Sequence, residues 1–351
     1  MTQPVRLAVV GAGGISQMHL NAARASGGAV QIVALCDVNE ALARQRAAEF
    51  DIPQVYGDFH AALARPDIDG VVAAVPNFLH DQVAVAALEA GKHVFVEKPL
   101  SNTQEGAKRI LAAARKAQKV VQVGMIHRFS PGPQALKRAI VAGELGRVYF
   151  AQARYLRRKG IPGWGSWFTT HKLSGGGPLI DIGVHALDLC WYLIGKPKPL
   201  TVSGVTYAEF GPQKKGIGNW GTPNWQGVYD VEDFSTALIR FEGGASLLLQ
   251  ASWAGHLLPS QDVLIMGAEQ GALVTDDKVR LLTERDNQTS ERELRDDEAA
   301  PGNVRQLLNF AAAVRGQEAP RTPVEDGYAV VAMLTAIYRS AESGREVAVE
   351  L

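Results

Sequence analysis

An apolar, β-branched run, Val5–Val10, stops abruptly at Gly11-Ala12-Gly13-Gly14-Ile15-Ser16, and an Ala-rich segment of helical length, 15–25, begins there. Strand, glycine turn and helix in immediate succession leave few folds open. In the dinucleotide-binding turn the first glycine permits the tight bend. The second lets backbone approach a pyrophosphate, and the third position must be small so that the helix packs closely on the strand. Ser16 holds the third position here and is small enough. A pyrophosphate at this turn meets the helix N-terminus, where N–H groups and the helix dipole favour an anion. The turn pattern alone is weak; its strand–turn–helix setting strengthens it. Gly11, Gly13, Gly14 and Ile15 are thus candidate cofactor-binding residues.

The rest of the first third repeats the theme. Apolar runs at 31–36, 70–75, His93–Val96 and 120–124 alternate with helical patterns at 40–50, 82–90 and Gln104–Ala117. Near-continuous apolar strands alternating with helices predict a parallel sheet covered on both faces, an α/β Rossmann, doubly wound fold. Asp37 ends the second run, where an acid meets the adenosine ribose hydroxyls and repels a 2′-phosphate. With no Arg or Lys following before Arg44, the sequence favours NAD over NADP. The competing reading is that Asp37 caps the next helix.

Beyond residue 124 the pattern changes. Helical patterns at 133–142 and 179–194 flank a strand at 147–157, and runs at 201–209, 232–241, 245–254, 262–267, 272–275 and 278–282 follow with few helices between them. Strands in succession predict a mostly antiparallel sheet, so residues 126–351 read as an α+β domain after a dinucleotide-binding domain of residues 1–125. The polar stretch 284–299 reads as a solvated loop or exposed edge, 211–227 as a Gly/Pro/Trp-rich loop, and 304–315 and 325–340 as C-terminal helices able to pack back towards the first domain.

Charge excludes one class of function. Lys plus Arg and Asp plus Glu both count 36, for a formal net charge of zero, which argues against nucleic acid as the main partner. The two cysteines, Cys36 and Cys190, sit in apolar runs and read as buried thiols in a reducing compartment. The N-terminus MTQPVRLAVVGAGG lacks the pattern of a signal peptide, and no apolar run reaches the ~20 residues that span a bilayer. The expected location is cytoplasmic, with no membrane partner.

Two further constellations carry chemistry. Glu97-Lys98-Pro99 stands at the end of the fourth apolar run, where open α/β sheets bind ligands. A lysine held there can orient a substrate hydroxyl and stabilise oxyanion character; a Lys before Pro is also a common surface residue. Gly175-Gly176-Gly177 precedes a helical pattern in which Asp181, His185 and Asp188 fall at i, i+4 and i+7, on one face. A histidine flanked by carboxylates is a general base for an alcohol proton. Asp and His at this spacing also suit a metal or a simple surface pair.

Taken in order, the Gly11 turn, Pro76-Asn77 with His80, Glu97-Lys98-Pro99, Gly143-Glu144-Leu145-Gly146-Arg147-Val148, the triple glycine with Asp181, Gly183, His185 and Asp188, and Ala336-Ile337-Tyr338 with Ser340-Ala341 resemble the glucose–fructose oxidoreductase / inositol dehydrogenase (Gfo/Idh/MocA) family nearly end to end. The resemblance implies a Rossmann domain followed by a domain with a large, mostly antiparallel open sheet, assembled as a homodimer or homotetramer. It implies an NAD(P)-dependent dehydrogenase or reductase acting on a hydroxyl or keto carbon of a sugar, cyclitol or sugar derivative. Lys98, Asp181 and His185 become the catalytic set, with His185 the proton acceptor. Pro76, Asn77, His80 and Glu97 line the cofactor, and Arg128 faces the nicotinamide or substrate. Trp167 joins Arg128, Asp181 and His185 as a substrate candidate. No metal is implied, since Lys98 supplies the electrostatic assistance. Two other readings stay open: an enzyme on the same scaffold that retains NAD for a redox-neutral step such as glycoside cleavage, and a non-catalytic nucleotide sensor. Arg154, Arg157, Arg158 and Lys159 read as a solvated strand end, and Trp164, Trp167, Trp220 and Trp225 as core, an oligomer contact or a wall for a sugar face.

Overall fold

The computed structural model describes residues 3–275, 278–294 and 300–351. Its chain forms two compact units, Met1–Ile126 with Ala300–Tyr328, and His127–Ala299 with Ala329–Leu351.

In the first unit the elements run β1 (Val5–Val10), α1 (Gly14–Arg24), β2 (Val30–Cys36), α2 (Glu40–Glu49), β3 (Gln54–Tyr56), α3 (Phe59–Leu63), β4 (Gly70–Ala73), α4 (His80–Glu89), β5 (His93–Val96), α5 (Gln104–Ala117) and β6 (Val121–Val123). The strands form one parallel sheet in the order β3-β2-β1-β4-β5-β6. This is the doubly wound order, and its switch point lies between β1 and β4. Strands such as Gly70–Ala73 are buried along their whole length, as a sheet covered on both faces requires. β3 and α3 go beyond the sequence reading. Each is short, and β3 is only half-buried, so neither leaves a strong periodic signal.

The second unit begins with α6 (Pro131–Val141), β7 (Val148–Leu156), α7 (His171–Ser174), a π-helical turn at Leu179–Gly183 and α8 (Val184–Leu193). β8 (Pro199–Tyr207), β9 (Phe234–Phe241), β10 (Ser246–Ser252), β11 (Ser260–Gly267), β12 (Gln270–Thr275), β13 (Lys278–Arg285) and β14 (Gln288–Leu294) follow. After them come α9 (Gly302–Val314), α10 (Val324–Ser343) and β15 (Val347–Ala348). The second sheet has nine strands in the order β14-β13-β12-β11-β7-β10-β9-β8-β15. Only β7–β10 pairs parallel; the other neighbours are antiparallel. Alternate residues such as Leu247, Leu249 and Ala251 are buried while Ser246, Leu248 and Gln250 are half-buried, the period-two pattern of a sheet with one packed face.

The polar stretch 284–299 resolves into the end of β13, a turn and the edge strand β14; residues 295–299 lie outside the described residues. The single helix expected over 179–194 is instead a π-turn followed by α8. Helix α9 belongs to the first unit, where Leu307 and Phe310 complete the core around Leu7, Val9, Leu35 and Phe95. Phe310 meets Phe95 edge-on at 5.8 Å between ring centroids. Among the described residues, no helix is long and apolar enough to cross a membrane.

Candidate active site

The glycine turn is built for close approach. Gly11 has φ +101°, and a Cβ there would collide with the Ala74 carbonyl oxygen beyond β4, so only glycine fits. Its amide donates to Cys36 O at 2.8 Å, tying the turn to the end of β2. Gly13 and Gly14 are exposed, and a Cβ at Gly13 would meet nothing within 4 Å. No side chain caps α1 at Gly13, so the first turn presents its N–H groups to whatever lies over this open ledge. Ser16, fully buried, donates its hydroxyl to Gly13 O at 2.6 Å and braces the turn from within; Ile15 is half-buried beside it.

Asp37 is fixed by two amides: Ala12 N donates to Oδ2 at 2.7 Å and Asn39 N to Oδ1 at 2.8 Å. The cap of α2 is Asn39, whose side chain accepts from Leu42 N, so Asp37 is not the helix cap. A carboxylate locked beside the glycine turn, with the exposed Val38 next to it, fits a ribose diol and an adenine face. Exposed turn amides, open glycine and fixed acid together are a donor and acceptor set suited to NAD. Across the switch point, Pro76 opens a short 3₁₀ turn, Asn77–Leu79, whose Asn77 is buried.

Lys98 follows β5 and is half-buried; the Lys98–Pro99 peptide bond is cis. Behind it lies a buried pair: His19 Nε2 and Glu97 Oε1 are 2.6 Å apart, and the Lys98 amide donates to Glu97 Oε2 at 3.2 Å. Burial acts to raise the Glu97 carboxyl, but the His19 hydrogen bond and charge, with Lys98 beside it, outweigh burial and hold it below its ordinary value. Gly124 is tight against this carboxylate, where a Cβ would come within 2.8 Å of Oε2. Glu97 thus supports the lysine from below and is 6% exposed.

His80 departs from expectation. Its ring is 1% exposed, with Nδ1 2.7 Å from Pro99 O and Nε2 2.9 Å from Val75 O. Both ring nitrogens are occupied by backbone, so His80 braces the Lys98-Pro99 segment against the end of β4 and does not line a cofactor surface. Burial depresses its basicity, although both carbonyls oppose that.

In the second unit the π-turn carries Asp181 and α8 carries His185. Asp181 Oδ2 accepts from the Trp253 indole at 2.9 Å. The His185 ring meets His127 edge-on at 5.0 Å. Both histidines line a pocket together with Arg154, Tyr155, Gln261 and Asp262. Asp188 is not a third member of this group. Its carboxylate takes both Arg128 Nε (2.9 Å) and an Arg128 terminal nitrogen (2.7 Å), and both side chains are buried. The Arg128 guanidinium also lies over the Tyr192 ring at 4.7 Å. The expectation that Arg128 faces nicotinamide or substrate is therefore corrected: a guanidinium at 0% exposure, spent on a bidentate carboxylate, holds α8 in place.

Of the other singled-out residues, Arg154 pairs with Asp262 through two 2.9 Å hydrogen bonds, and Arg157 lies over Tyr155. Trp164 is buried, donates to Gly211 O at 2.7 Å and stacks on Tyr229. Trp167 is half-buried and stacks on Phe168. Trp220 and Trp225 are exposed. His19, His127 and Trp253 have no counterpart in the sequence reading. The helical phase of His19, facing the sheet, was its one available signal.

Comparison with known proteins agrees with this geometry. Residues 5–125 match the Gfo/Idh/MocA oxidoreductase family, NAD-binding Rossmann fold, and residues 134–273 match the Gfo/Idh/MocA C-terminal domain. D-Glucoside 3-dehydrogenase of Escherichia coli (strain K12) is 34% identical over 355 residues, covering 99% of this chain and 98% of that one. The scyllo-inositol 2-dehydrogenase (NAD(+)) of Bacillus subtilis (strain 168) is 32% identical over 195 residues, covering 56% of this chain and 55% of that one. A solved levoglucosan dehydrogenase, in complex with NADH and levoglucosan, shares the fold with a TM-score of 0.89 at 24% identity, covering 99% of this chain and 100% of that one. Sequence, fold and relatives converge: the chain belongs to the Gfo/Idh/MocA family of NAD-binding oxidoreductases.

Proposed function

We propose that this protein oxidises a hydroxyl of a sugar, cyclitol or sugar derivative with NAD, or reduces the corresponding ketone, using Lys98, Asp181 and His185. The observation that carries the reading is the pocket of the second unit lined by His127, Arg154 and His185, with His185 about one helical turn after Asp181 of the π-turn, in a chain with an NAD-type glycine turn and locked Asp37. The names of the relatives, a glucoside, an inositol and an anhydrosugar dehydrogenase, supply the substrate class.

Gly11, Gly13, Gly14, Ile15 and Asp37 would hold NAD, which would supply the hydride acceptor for oxidation of the carbinol carbon or, reduced, the hydride donor for the reverse. His185 accepts the hydroxyl proton as the carbonyl forms. The Lys98 ammonium stabilises the negative charge that builds on that oxygen. Asp181, its Oδ2 held by the Trp253 indole, orients a substrate hydroxyl or the His185 ring. Gly11, Gly13, Gly14 and Ile15 carry the pyrophosphate, Asp37 the ribose, and Pro76 and Asn77 the cofactor wall across the switch point.

The second sheet's half-buried Phe150, Leu238, Leu248 and Leu264 suit self-association as a homodimer or homotetramer. A cytoplasmic location agrees with two buried thiols, both pushed up by burial, Cys36 to about 12. The two-part division, residues 1–125 for the cofactor and 126–351 for substrate and assembly, is part of the same reading.

The test is a screen of the purified protein with NAD or NADP against glucosides, inositols, anhydrosugars and sugar acids, following absorbance of the reduced nicotinamide. Turnover that Lys98→Met lowers by ~10²-fold or more supports the reading. Product formed without net reduction of NAD points to the redox-neutral alternative. NAD binding with no turnover of any panel member, oxidised or keto, points to a sensor.

A further inference from the structure

The triple glycine before the Asp181 turn is left unexplained by hydride chemistry, and so is the Tyr338 motif near the C-terminus. The structure joins them. Gly176 has φ +148°, and a Cβ there would collide with the Tyr338 hydroxyl. A Cβ on Gly177 would collide with the Glu232 carbonyl oxygen. These glycines are small because two other residues press into the same space.

What presses in is a buried acid. Glu232 is 7% exposed, and its carboxylate accepts three hydrogen bonds. Gly177 N donates to Oε2 at 2.9 Å, Leu179 N donates to Oε1 at 3.0 Å, and the Tyr338 hydroxyl donates to Oε1 at 2.9 Å. Leu179 is the first residue of the π-turn, and Asp181 lies two residues further on. Pro178 brings no amide of its own, so the carboxylate takes the two amides on either side of it. On the far side, Gly183 rests against Ala251 of β10. The turn is thereby clamped between a carboxylate at its start and the sheet at its end. Burial pushes the Glu232 carboxyl up, and the two amides and the phenol oppose that.

We propose that Glu232 and Tyr338 are positioning residues for the reaction: their hydrogen bonds to the Gly177–Leu179 segment hold the π-turn that aims Asp181 at Trp253 and presents His185 to its pocket. Neither touches the reacting atoms. The functional half of this inference rests on the proposed roles of Asp181 and His185; the anchoring half stands on geometry alone.

The test compares wild type with Glu232→Gln, Tyr338→Phe and the double variant, in the full chain. Amide hydrogen exchange of peptides covering 174–188 reads the anchor, and steady-state kinetics per cofactor-titrated site read positioning. We expect exchange of that segment to quicken tenfold or more in both single variants, with β10 and β11 unchanged. We expect kcat to fall tenfold or more in Glu232→Gln and severalfold in Tyr338→Phe, with KM for NAD unchanged. The double variant should fall at least as far as Glu232→Gln, because the phenol also hydrogen-bonds the backbone at Gly177 and Ile180. Tyr338→Phe keeps the ring volume and carries the test alone if the Gln variant does not fold. Unchanged exchange overturns the anchor. Faster exchange with unchanged kcat, or a loss confined to the fraction of folded protein, overturns the positioning role. Should Asp181→Asn retain full activity, the catalytic assignment fails and the exchange result still decides the anchor.

Discussion

Gly11 concentrates several demands in one residue: a left-handed φ, contact with the Ala74 carbonyl, and a hydrogen bond to the end of β2. Gly11→Ala should cost ~2 kcal/mol or more, since both the conformation and the clash act together. Thermal denaturation should show the loss, and addition of NAD should no longer raise the melting temperature. His185 makes a different kind of demand, because little of the fold depends on a partly exposed ring. His185→Ala should fold normally and lose ~10²- to 10⁴-fold in kcat with NAD affinity retained, the range for a missing general base. Of these two residues, the turn at Gly11 was legible in the sequence from its place after a strand, whereas His185 was singled out by the motif around it and its role stays a proposal. His19 was not, because its partner Glu97 lies 78 residues away along the chain. The Arg128 role was misread for the same reason: Asp188 is 60 residues distant, and spacing alone cannot show that a charge is already matched.

At the level of elements, periodicity recovered strands and helices whose faces are sharply buried. It failed where structure comes from distant hydrogen bonds. The π-turn at Leu179–Gly183 breaks the i, i+4, i+7 argument, since its start is held by a carboxylate 55 residues away from Gly177. Asp181, His185 and Asp188 then serve three different neighbourhoods: the Trp253 indole, the His127 pocket and the Arg128 pair. The start of β5 offers a test at this scale. His93 Nδ1 accepts from Val120 N at 3.1 Å, a bond that only the neutral ring can make. Burial, then the charge of Lys119, brings His93 down from 6.5 to about 4. The folded state therefore binds fewer protons than the unfolded one across that interval, so this stabilisation is present above 6.5 and is lost as pH falls towards about 4. The melting temperature should drop through this window in wild type. His93→Gln, whose side-chain oxygen can still accept from Val120, should drop less steeply. Parallel slopes for the two proteins would show that His93 does not carry this dependence.

For the whole molecule, the doubly wound sheet and the nine-stranded sheet follow from alternation of pattern along the chain, and they were legible in outline. The return of α9 to the first unit's core was legible only as a possibility, since Phe310 and Phe95 lie far apart in sequence and meet only in the fold. Hydride transfer between a carbinol carbon and NAD is the claim on which the functional reading stands. It is tested most directly with a substrate from the screen that carries deuterium on the reacting carbon, incubated with NAD and followed by mass spectrometry of the cofactor. One deuterium in the reduced nicotinamide, appearing in step with the ketone product, is the expected result. Product that forms while the cofactor pool stays oxidised and free of deuterium would contradict a dehydrogenase.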